Sequence, residues 1–143
     1  MRILPKRVLW AATAAYVAAL TAVSLLPSGQ AAGALGGRDK DISPTTQNAG
    51  HVPAYALLVV LVSGSFWPAW RPPVAGLVLA AVGCAAYGLA LEWAQSAIPG
   101  RSGSVSDAML NGIGAAAGVA AVQCIRVWVA RRRGRCGPGA RQA

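Results

Sequence analysis

Four long apolar blocks constrain this chain more than anything else in it. Val8 to Leu26 and Val52 to Trp70 are each nineteen residues without a charge. Val74 to Ile98 runs for twenty-five residues, interrupted only by Glu92 and Gln95. Val105 to Ala130 runs for twenty-six and carries Asp107, Asn111, Gln123 and Arg126. A helix needs about 20 residues to cross a hydrocarbon core of about 30 Å, and all four blocks qualify. They are continuous and not alternating, so they read as helices and not as barrel strands. The predicted fold is all-α: a single membrane domain over 1–143, an integral four-helix bundle with transmembrane helices at 8–26, 52–70, 74–98 and 105–130, and a basic tail at 131–143.

Composition excludes the alternatives. Of the 143 residues 55% are hydrophobic and only 12% are charged, against roughly 25% charged in ordinary soluble domains. Too few charges remain to build a soluble surface, and the apolar fraction is too high for disorder. A cleavable signal peptide is the rival reading of the first block, with Met1 to Arg7 as a basic start and Gln30-Ala31-Ala32 as a small-residue site. Signal h-regions run about 7–15 residues, so a retained helix is expected.

Thirteen Lys and Arg against four Asp and Glu give a net charge of +9. Their distribution matters more than their sum. Arg2, Lys6, Arg7, Arg71, Arg126 and the tail arginines (131, 132, 133, 135 and 141) fall on one side of the four spans, with no acid among them. On the other side Arg38, Lys40 and Arg101 are balanced by Asp39, Asp41 and Asp107. Cytoplasmic loops carry the excess of Lys and Arg, so both termini are expected in the cytoplasm of a bacterial plasma-membrane, multi-pass protein. Trp10, Trp67, Trp70 and Trp128 lie near the same expected inner ends, where indole rings favour the headgroup region. The tail then meets anionic lipid, and no nucleic-acid partner is expected from so short a basic run. Pro27 to Gly50, rich in small and polar residues, reads as an outer flexible loop with at most short structure. Cys84, Cys124 and Cys136 are odd in number and fit no metal or redox spacing.

The informative residues are polar ones inside the apolar blocks. Glu92 is costly in a membrane and should face a bundle interior or a watery cavity. Gln95 follows on the same face, and Gly88, Cys84 and Ala81 precede it as a stripe of small residues. On the fourth block Asp107 and Asn111 lead into Gly114 and Gly118, a small-xxx-small pair. The simplest arrangement packs these two faces together, with Arg101 at the mouth and His51 at a similar depth. Structural roles are open for several of them. Ser104 and Asp107 resemble a capping box, Asn111 can bond across helices, His51 can sit at the interface, and Arg101 can be a loop charge paired with Asp107.

The order His51-x-x-x-Tyr55-x-Leu57-Leu58, Glu92-x-x-Gln95-x-x-x-Pro99-Gly100-Arg101 and Ser104-x-x-Asp107-x-x-x-Asn111-x-x-Gly114 resembles the VanZ-like family. The similarity covers about His51 to Gly118. Members are small bacterial multi-pass membrane proteins, and the founding member is associated with low-level resistance to the glycopeptide teicoplanin. The resemblance implies a membrane location and a polar site made by His51, Glu92, Gln95, Arg101, Asp107 and Asn111. It implies no settled reaction. Many members place a basic residue three or four positions before the His, where this chain has Gln47 and Asn48.

Three function classes follow. The favoured one is recognition or modulation of an amphiphilic cell-envelope component, or a lipoglycopeptide antibiotic, through an outward-facing polar pocket beside lipid. The pocket is expected between the second, third and fourth helices, with the first peripheral and Tyr55 and Trp93 on its wall. The second class is an enzyme on a lipid-linked molecule, with Glu92 and His51 as candidate acid and base. Whether the chain is an enzyme stays open, since no nucleophile motif is visible. The third is a transporter or channel component, disfavoured by an almost purely apolar inner half. His51, Glu92 and Asp107 are suitable metal ligands, but their spacing is no metal motif, so neither metal nor other cofactor is expected. Membrane lipid is the expected surrounding partner, and oligomeric state is not encoded in any pattern visible here.

Overall fold

The computed structural model describes residues 5–26, 44–67, 72–98 and 103–135. They form helices α1 (Lys6–Leu25), α2 (Pro44–Phe66), α3 (Val74–Gln95) and α4 (Val105–Arg135), with no strand among the described residues. The all-helical membrane bundle expected from the apolar blocks is what the chain forms. Helices α1, α3 and α4 are long and apolar enough to cross a membrane. The apolar part of α2, Gly50–Phe66, is shorter, but the whole helix has 23 residues and is about 34 Å long at 1.5 Å per residue.

Prolines punctuate the helices. Leu26 is extended (φ −69°, ψ 143°) and closes α1, because Pro27 disfavours the helical region for the residue before it. Trp67 leaves the helix after Phe66 for the same reason, with Pro68 next in sequence. The second helix therefore ends four residues short of the expected Trp70. It also begins at Pro44, inside the stretch read as loop; a proline in the first helical position loses no hydrogen bond. Pro73 precedes α3, and its carbonyl accepts from Leu77 N–H at 3.1 Å. The end of α3 tightens into i→i+3 bonds, Ala97 N–H to the Ala94 carbonyl and Ile98 N–H to that of Gln95. Helix α4 runs to Arg135, past the expected 130. Arginine is a good helix former, and the Arg132 guanidinium lies 4.4 Å from the Trp128 ring centre.

Helix α2 is the centre of the bundle. Its Tyr55, Leu58 and Val59 form the core with Cys84 and Ala115. A Cβ on Gly114 would lie 2.6 Å from the Val52 carbonyl oxygen, and one on Gly118 would lie 2.7 Å from that of Ala56. The Gly114–Gly118 face thus packs on α2 and not on α3, contrary to the simplest arrangement expected from sequence. Its missing side chains let two helix backbones meet. Helix α1 is fastened from outside by polar contacts. Thr13 and Ser65 share a hydroxyl hydrogen bond of 2.9 Å, Tyr16 O–H donates to the Ala54 carbonyl at 3.0 Å, and the Thr21 and Tyr87 hydroxyls meet at 2.7 Å. Leu79, Val82, Leu89, Trp93, Val105, Met109 and Ile113 remain exposed, an apolar surface that suits lipid and would be a liability in water.

Candidate functional site

The site assembles where the C-terminal end of α3 meets the N-terminal end of α4 and the start of the apolar part of α2. Glu92 is 5% exposed, Gln95 9% and Asn111 0%, so three polar side chains are buried at this end. Helix α3 turns Glu92 inward because the same face carries Gly88 and Cys84, which are also buried. Gly88 is required there. A Cβ would stand 2.8 Å from both Asn111 Nδ2 and Tyr55 Cε1. The absence of a side chain lets the Tyr55 ring and the Asn111 amide reach α3.

His51 joins the helices. Its Nδ1 lies 2.7 Å from Asn111 Oδ1. An amide oxygen only accepts, so Nδ1–H donates, and the ring presents Nε2 to the rest of the site. Nε2 stands 4.0 Å from Asp107 Oδ2. One ligand-type atom from each of His51, Glu92 and Asp107 lies within 4.8 Å of the others. An imidazole and two carboxylates from three helices are thereby brought to one place, where proton exchange, anion–cation pairing or metal coordination are all chemically open.

The two residues just before α4 both contact Glu92. Ser104 N–H donates to Glu92 Oε2 at 3.2 Å. Gly103 sits against the Glu92 carbonyl oxygen so closely that no Cβ fits between them. Ser104 stands just before α4, and its Oγ is hydrogen-bonded to Ser106 Oγ. Asp107 stands in the first turn of α4, where the helix macrodipole favours a negative charge. The Asn111 amide is fully buried, and among the described residues its Nδ2 has no hydrogen-bond partner. Leaving a buried donor unmet costs about 1–3 kcal/mol. The fold bears that cost while Oδ1 is held on His51.

Of the residues expected at the site, His51, Glu92, Asp107 and Asn111 come together, and Gln95 is buried one turn beyond Glu92 on α3. Arg101 lies outside the described residues. Tyr55 does line the interior, 2% exposed, with its ring 6.5 Å from that of Tyr87. Trp93 does not: it is 79% exposed, because one step along a helix turns a side chain by about 100° away from Glu92. Sequence reasoning missed the Ser104 backbone donor, which no side-chain pattern marks. It also missed Gly103, whose close approach to the Glu92 backbone no sequence pattern marks. The first helix contributes no side chain to the cluster among the described residues.

A family model described as VanZ/LLP1 matches residues 13–126. No curated protein and no solved structure matches the chain. The matched stretch runs from within α1 to within α4 and includes every residue of the cluster.

Proposed function

The chain belongs to the VanZ/LLP1 family, and from that premise we propose that it recognises or modulates an amphiphilic cell-envelope component, or a lipoglycopeptide antibiotic, at the polar end of its bundle. The observation that carries the reading is the convergence of His51, Glu92 and Asp107 within 4.8 Å of one another, beside the exposed apolar faces of α3 and α4. An amphiphile needs both: a polar anchor for its head and lipid-facing surface for its tail. The asymmetry of Lys and Arg supports a bacterial plasma-membrane protein with this end outward and both termini inside. His51, Glu92, Gln95, Arg101, Asp107 and Asn111 are the proposed binding residues.

The test is protection of cells against a lipoglycopeptide by the chain and by its Glu92→Gln variant at equal membrane levels. Loss of protection is expected for the variant, and full protection would remove Glu92 from the function. A second reading is favoured by one feature. Asn111 orients His51 so that Nε2 faces the carboxylates, an arrangement suited to acid–base chemistry on a lipid-linked substrate. Turnover of a lipid-linked envelope precursor by the purified chain, lost in His51→Gln, would establish that reading in place of simple recognition.

A further inference from the structure

An imidazole nitrogen and two carboxylate oxygens are a common donor set for a divalent transition metal. Catalytic zinc sites use three protein ligands and keep a fourth position open. We infer that His51, Glu92 and Asp107 bind one divalent metal ion of the zinc class at the polar end of the bundle. Its role there, offering the open position to an anionic oxygen of an amphiphile's head, rests on the recognition reading above; its binding does not.

The geometry is close to a coordination shell. Metal bonds of about 2.0–2.2 Å in a tetrahedral arrangement place ligand atoms about 3.4 Å apart. The three donor atoms lie within 4.8 Å of one another, and His51 Nε2 is 4.0 Å from Asp107 Oδ2. Side-chain movements of about 1 Å complete the shell.

Each of two ligands is already held from behind. Metal-bound histidines give their other ring N–H to an outer partner, which fixes the tautomer and aims the lone pair. Here Asn111 Oδ1 takes Nδ1–H at 2.7 Å, leaving Nε2 as the ligand atom. Ligating carboxylates are likewise hydrogen-bonded, and Ser104 N–H holds Glu92 Oε2 at 3.2 Å. The buried Asn111 amide, with its Nδ2 unpartnered among the described residues, fits a side chain placed to serve His51. Ligands at 51, 92 and 107 share no short spacing, which is why the sequence pattern shows no metal motif. Their convergence belongs to the packing of α2, α3 and α4.

The test is equilibrium binding of Zn²⁺ to the purified full chain in detergent. Cys84→Ala, Cys124→Ser and Cys136→Ser remove the thiols as competing ligands. One equivalent of Zn²⁺ per chain is expected. Glu92→Gln and Asp107→Asn should each weaken binding at least tenfold, and Asn111→Ala, outside the shell, by about 10–100-fold. Melting temperatures without metal identify variants that have unfolded. Should those fail, X-ray absorption of the Zn²⁺-loaded thiol-free chain gives a second readout: one imidazole, from the sole histidine of the sequence, with oxygen completing the shell. A shell without imidazole, or no binding at millimolar Zn²⁺, overturns the inference. So does affinity unchanged in folded Glu92→Gln and Asp107→Asn. Protection without Zn²⁺ binding would remove the metal and leave recognition standing; Zn²⁺ binding without protection would do the reverse.

Discussion

At the scale of single residues, the site depends on where side chains are absent as much as on where they are charged. Gly88 admits Tyr55 and Asn111 to the α3 backbone. Gly88→Val should therefore destabilise the chain by about 1–3 kcal/mol through overpacking. Gly83→Ala on the same helix meets nothing within 4 Å and should be neutral or gain up to about 1 kcal/mol of helix propensity. Thermal unfolding in detergent checks both, and equal melting temperatures for the two variants would contradict the close approach at Gly88. Glu92→Gln keeps a polar group that can accept from Ser104 N–H and should stay within about 1 kcal/mol of the parent, a neutral amide in place of an acid being mild in this position. Glu92→Lys places a cation where α4 closes over α3 and should cost about 3 kcal/mol or more. Glu92 was legible in the sequence because a carboxylate in an apolar block has to be explained by something. The outward direction of Trp93 follows from the same helix once Glu92 is fixed inward. The Ser104 N–H was illegible, since every residue but proline carries one.

At the scale of elements, the apolar blocks locate the four helices, but several helix ends and the packing partners were not readable from them. Pro27 and Pro68 mark the ends of α1 and α2 through the residue before each. The Gly114–Gly118 spacing announces that a backbone comes close, but carries nothing about whose. It meets Val52 and Ala56 of α2, and this sets His51, on the same helix, against Asn111. Gly118→Val would drive a side chain into the Ala56 carbonyl and Val59 Cβ, both within 2.7 Å of the Cβ position. Backbone on that side cannot swing aside, so α4 should separate from α2 at a cost of about 1–3 kcal/mol. Gly112→Ala, with nothing within 4 Å, should leave the melting temperature unchanged or raised. Unchanged stability of Gly118→Val would mean that α2 and α4 do not pack through this face. The start of α2 at Pro44 was hidden because its first turns are polar and lack the apolar signature used to find a span.

At the scale of the whole molecule, four helices gather polar chemistry at one end and leave apolar surface along the sides. The asymmetry of Lys and Arg predicts that this end faces outward. An impermeant thiol reagent on intact cells, with the native cysteines replaced, should label Gly36→Cys and leave Gly137→Cys unlabelled; the reverse pattern would invert the topology. The central claim is that His51, Glu92, Asp107 and Asn111 act as one site, and residues in one network show coupled, non-additive effects on substitution. The direct measurement is protection against a lipoglycopeptide for Glu92→Gln, Asp107→Asn and the double variant, at matched membrane levels. A double variant no worse than the more damaging single one is the predicted result. Losses that simply add, or protection unaffected by all three, would contradict a shared site.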